Sequence, residues 1–101
     1  MDQEKIEEIK ILSQSYKLLF EDVISQGEAL MGHIDFFKNT ITLCSQISDD
    51  NKKVVLLHEI LHSIFEQLGF QEENDNEHLI NALSTSLFQV FQDNKTLFST
   101  F

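Results

Sequence analysis

Residues 54–69 read VVLLHEILHSIFEQLG, and both the fold and the chemistry turn on this stretch. It carries apolar residues at helical spacing and no helix breaker before Gly69, so it reads as a core helix. Within it, His58, Glu59, Ile60, Leu61 and His62 form the pattern His-Glu-x-x-His. At about 100° per residue the apolar arc centres on Leu57, Leu61, Ile64 and Leu68. His58 and His62 fall together on one border of that arc, a turn apart, with Glu59 beside them towards the polar side. Side chains four apart on a helix lie roughly 5–6 Å apart at Cβ, so both imidazoles can reach one zinc ion at about 2.0–2.1 Å. The adjoining glutamate then projects beside the metal, where it can take a proton from a zinc-bound water. Two histidines at this spacing also suit the border of an ordinary amphipathic helix. The glutamate between them favours the metal.

The surrounding sequence supplies the rest of the domain. Ser48–Asn51 (SDDN) offers helix N-caps and negative charge at a helix start, and Gly69 offers a left-handed stop. Asn74, with Glu77 three residues later, has the form of a capping box. It opens a second helix whose apolar positions Leu79, Ile80, Leu83, Leu87, Val90 and Phe91 recur to about Asp93. Upstream, Gly32–Phe37 and Thr40–Ser45 alternate like strands, with Lys38 and Asn39 between them as a hairpin turn. Ile9–Leu12 and Tyr16–Phe20, separated by Ser13–Ser15, fit a first hairpin, although residues 2–9 could instead begin a helix that runs through Leu12. Residues 21–30, with Gly27, suit a short helix or a loop, and residues 94–101 read as a flexible tail. The expected architecture is α+β in one domain over residues 1–101. A small antiparallel sheet of hairpins precedes the His-Glu-x-x-His helix and a second, glutamate-bearing helix at the C-terminal end.

Composition sets limits on function. The chain has 101 residues, 42% of them apolar and nine of them phenylalanine, enough for one packed core. A net charge of −10, with only seven Lys and Arg, argues against nucleic acid or an anionic membrane as partner. The single cysteine, Cys44, excludes an internal disulfide and suits a reducing compartment. The charged opening MDQEKIEEIK lacks the apolar core of a signal peptide, and no apolar run reaches membrane length. A cytoplasmic protein is expected.

A catalytic zinc needs a third protein ligand and an open fourth position. The extended signature His-Glu-x-x-His-x-x-Gly-x-x-His is excluded, because Phe65 and Leu68 occupy its glycine and third histidine positions. The ligand must come from the second helix or a loop. Glu77 is best placed, on the border of that helix's apolar arc with Asn81 one turn later, although it could serve only as a capping residue. His78 is the next candidate and points about 100° away from Glu77; Glu66, Glu72 and Asp75 follow. A donor for a transition-state oxyanion could be Tyr16, His33 or His78.

VVLLHEILHSIF (54–65), NEHLINALSTSLFQVF (76–91) and MGHIDFFKNTITL (31–43) together resemble the zincin metallopeptidases. The likeness is greatest to small ImmA/IrrE-type metallo-endopeptidases, in the short versions carried by phages and mobile elements. The family's E-A-N-x-F-A run stands here as INALST (80–85). The resemblance implies a minimal gluzincin core, in which an edge strand lines the substrate cleft and a glutamate-bearing helix packs on the active-site helix. It also implies zinc held by His58, His62 and Glu77, with Asn81 nearby and Glu59 as general base and acid. The implied reaction is hydrolysis of a peptide bond in a protein substrate, such as a transcriptional repressor. Two other classes remain open at this point: a zinc-stabilised, antirepressor-like binding module, and a metal-free acidic binding protein. Oligomeric state is not readable, although Phe88, Phe91, Phe98 and Phe101 could support a dimer.

Overall fold

The computed structural model describes residues 7–22 and 31–100. β1 (Glu7–Ile11) and β2 (Gln14–Glu21) form an antiparallel hairpin joined by Leu12 and Ser13. Strand, not helix, is therefore the conformation of the segment from Glu7. The turn lies one residue earlier than its serines suggest, and Gln14 and Ser15 open β2. Leu12 takes a left-handed φ of 54°, a conformation that costs a side-chain-bearing residue on the order of 1 kcal/mol. Tertiary contacts hold it there. Gln67 accepts from the Ser13 backbone N–H through Oε1 at 3.1 Å and donates from Nε2 to the Ile11 carbonyl at 2.8 Å.

β3 (Gly32–Asp35) and β4 (Thr40–Cys44) form the second hairpin. Its turn is organised by Asp35, whose Oδ1 accepts from the backbone N–H groups of Phe37 and Lys38. The sheet order is β1-β2-β4-β3, and β4 runs parallel to β2. The sheet is thus mixed, a correction to the antiparallel expectation. The second strand of the hairpin, and not the first, lies beside β2 because it is the one that can be buried on both sides. Ile41 and Leu43 on one face are 0% and 2% exposed, and Thr42 and Cys44 on the other are 8% and 7% exposed. β3, carrying Gly32, His33 and Asp35, is left at the edge. The readings made for residues 2–6 and 23–30, and for Phe101, lie outside the described residues.

α1 (Asp49–Leu68) begins at Ser48, whose side chain accepts from the Asn51 N–H, and ends at Gly69, with φ 80°. Its Val55, Leu56, Ile60 and Ile64 pack with Ile11, Tyr16, Leu18, Ile41 and Leu43 of the sheet. After Gly69 the chain turns into the short α2 (Gln71–Asn74) and then α3 (Glu77–Asp93), which packs against α1. The N-cap of α3 is Asn76, which accepts from the Leu79 N–H. The expected capping box between Asn74 and Glu77 does not form, because α2 occupies Gln71–Asn74 and leaves Glu77 as the first residue of α3. In the tail, α4 (Lys95–Thr100) is exposed throughout, with Phe98 set edge-on against Phe91. Among the described residues, no helix is long and apolar enough to cross a membrane.

Candidate metal centre

Four residues advance an α-helix by just over one turn, so α1 presents His58 and His62 side by side. Their ring centroids are 4.9 Å apart. Glu77 reaches them from α3. Its Oε1 lies 3.1 Å from His58 Nε2 and its Oε2 lies 3.0 Å from His62 Nε2. One ligand atom from each of the three residues falls within 4.8 Å of the other two. Two imidazole nitrogens and a carboxylate oxygen converging on one point form a donor set suited to a divalent transition metal. The three residues can hold a metal ion. His58 and His62 are largely buried, while Glu77 is more than half exposed, leaving the point open on one side.

Glu59 is not part of this trio and has a different environment. It is only 4% exposed, not turned towards the polar side of α1 as the helical wheel suggests. The wheel assumes one apolar arc, whereas α1 is covered twice: the sheet takes the flank of Val55, Leu56, Ile60 and Ile64, and α3 takes the flank with the histidines. Glu59 lies on the sheet side, against β3. A Cβ at Gly32 would stand 3.2 Å from Glu59 Oε2 and 2.4 Å from Val55 Cγ1, so only glycine lets the strand approach this closely. Burial pushes the Glu59 carboxyl up to about 7, and the negative charge of Glu77 adds to the effect. A carboxyl that titrates near neutrality can both accept and return a proton. Burial also lowers the His58 pKa, partly offset by the charge of Glu77.

These groups line a cavity of about 780 Å³ bounded by β3, α1 and α3. Its apolar wall includes Met31, Ile34, Phe36 and Val54, and α3 contributes Glu77, Asn81, Ser84 and Thr85. Of the accessory candidates, Asn81 and His33 border the cavity. The register of His33 against Thr42 puts its side chain on the sheet face opposite Gly32 and Ile34. Tyr16 does not line the cavity. It is 2% exposed in the core, where its hydroxyl accepts from Ser63 Oγ at 2.9 Å. His78 is exposed on α3 and also stands outside the cavity lining.

Two participants are not legible in the sequence. Asn74, which reads as a helix cap, places Oδ1 2.6 Å from His62 Nδ1 and donates from Nδ2 to Glu66 Oε1 at 3.2 Å. Gly32 reads as a strand start, and only the packing of β3 on α1 reveals why a side chain is excluded there. No spacing rule links Asn74 to His62, since the contact depends on the path of the chain after Gly69. Set beside known proteins, the chain matches no protein-family model, no curated protein and no solved structure.

Proposed function

We propose that the protein is a zinc-dependent metallo-endopeptidase, with His58, His62 and Glu77 as ligands and Glu59 as general base and acid. The observation that carries this reading is the division of four groups within one cavity. Three donor atoms converge within 4.8 Å, while a fourth, buried carboxyl with a pKa near 7 stands apart against an edge strand. Zinc bound there would supply a Lewis acid to activate water and polarise the scissile carbonyl. Glu59 takes the proton of the attacking water and passes it to the leaving amine. Among the described residues β3 pairs with β4 alone, so its outer edge offers backbone groups to an extended peptide. The apolar wall of Met31, Ile34, Phe36 and Val54 excludes water from one side of the cavity.

A binding module is the second reading, supported by the origin of the ligands on two helices. A metal joining α1 to α3 would stabilise so small a domain without any reaction. Zinc content and cleavage of a proteome-derived peptide library, measured in wild type and Glu59→Gln, separate the readings. Zinc in both proteins with cleavage by wild type alone supports the enzyme. Zinc in both with cleavage by neither favours the module, and no zinc in protein purified without chelators removes both.

A further inference from the structure

We propose that Asn74 fixes the proton of His62 on Nδ1 and so aims the Nε2 lone pair at the metal position, with Glu66 deciding which way round the Asn74 amide sits. The purpose assigned to this chain of contacts rests on the metallopeptidase reading, but the proton assignment does not. The argument begins at Glu66. Its carboxylate accepts and does not donate, so the group 3.2 Å from Oε1 must be the NH₂ end of Asn74. The carbonyl end then faces His62 Nδ1 at 2.6 Å. A carbonyl also only accepts, so Nδ1 carries the hydrogen. Neutral His62 has one ring hydrogen, and Nε2 is left with a lone pair.

That lone pair points into the cluster, with the Glu77 carboxylate oxygen 3.0 Å away. Two acceptors at this distance repel each other unless a positive centre stands beside them, as a cation held by both would. Asn74 is 8% exposed, and its contact with His62 is partly buried. The backbone brings it there. The left-handed Gly69 lets the Phe70 N–H bond to the Phe65 carbonyl, and the Asn74 N–H then bonds to the Phe70 carbonyl. α2 is thereby folded back on α1, and a residue twelve positions after His62 reaches its ring. Asn74 is a positioning residue: it touches neither substrate nor metal but sets the tautomer and orientation of a ligand.

The test combines a tautomer measurement with metal affinity. Nitrogen-15 NMR of metal-free Glu77→Ala, in which no carboxylate competes for a hydrogen on Nε2, should show neutral His62 protonated on Nδ1. Adding Asn74→Leu to that variant should mix the tautomers, and in the chain with Glu77 intact Asn74→Leu should lower zinc affinity, measured against a competing chelator, about 10–100-fold. The pair Asn74→Asp with Glu66→Gln reverses the polarity of the outer contact but keeps an acceptor towards Nδ1, and it should recover both the tautomer and the affinity. His62 protonated on Nε2 in metal-free Glu77→Ala overturns the proposal. So does a folded Asn74→Leu with unchanged zinc affinity. Protonation on Nδ1 in Glu77→Ala, with no zinc uptake by wild type, supports the proton assignment and overturns the metallopeptidase reading.

Discussion

Glu77 Oε2 and His62 Nε2 lie 3.0 Å apart, across the gap between α3 and α1 and fifteen residues apart in sequence. The same carboxylate reaches His58 with its other oxygen. Glu77 is thus the group through which the second helix completes a site begun on the first.

Removing it should leave a two-histidine site of low affinity. Glu77→Ala is expected to weaken zinc by more than about 100-fold, beyond the loss typical of an indirect partner. Zinc at 1,000 times its dissociation constant should stabilise wild type by about 4 kcal/mol. Thermal melts with and without zinc check both expectations. An equal zinc-dependent rise in Tm for Glu77→Ala and wild type would remove Glu77 from the ligand set.

Glu59→Gln keeps the size of the side chain and removes its proton chemistry. Cleavage should fall about 10²–10⁴-fold, the usual contribution of a general acid–base group. Zinc content should be unchanged, because Glu59 lies outside the three-donor cluster. Loss of zinc along with activity would show that Glu59 is a ligand.

The same variant isolates a pH effect in the metal-free protein. The Glu59 pKa is raised from the usual 4.5 to about 7 in the folded state, so between these values the folded chain keeps a proton that the unfolded chain has released. Its contribution to stability is therefore greatest below pH 4.5 and falls as the pH rises to about 7. His58, whose pKa burial lowers, works in the opposite sense and makes the folded state more stable as the pH rises towards 6.5. The difference between Glu59→Gln and wild type removes the His58 part. It should grow in favour of the variant across this window and level off at roughly 3 kcal/mol. Urea denaturation with chelator at a series of pH values measures it, and two parallel curves would contradict the assignment.

Gly32→Ala should destabilise the fold by about 1–3 kcal/mol through overpacking, because its Cβ would stand 2.4 Å from Val55 Cγ1. Val55→Ala removes that obstacle. The double variant should lose less stability than the sum of the two single changes, as a double-mutant cycle in urea will read. Strict additivity would mean that β3 moves away from α1 at no cost.

Tyr16→Phe tests the placement of the only tyrosine. Its hydroxyl accepts from Ser63 within the core, so the substitution should cost about 1 kcal/mol and leave zinc affinity and cleavage unaltered. A fall in turnover without a fall in stability would return Tyr16 to the reacting centre.

The two long helices, the span of α1, the end of α3 and the second hairpin were legible in the sequence because each rests on local rules. Ser48 and Gly69 bound α1 as cap residues should, and the His-Glu-x-x-His spacing by itself puts two imidazoles on adjacent turns. Glu77 with Asn81 on one side of α3 follows from the same periodicity, and both line the cavity. The tertiary structure decided what depends on contacts between segments. It set the parallel pairing of β2 with β4, since burial of Ile41 and Leu43 on one face and of Thr42 and Cys44 on the other selects which strand of the hairpin goes inside. It buried Glu59, because α1 is covered by both a sheet and a helix while a helical wheel sees one arc. It also gave Asn74 to His62 instead of to a helix cap. Helical spacing is fixed by covalent geometry and can be read along the chain, but the neighbours of a side chain are fixed by packing, which a linear pattern does not contain.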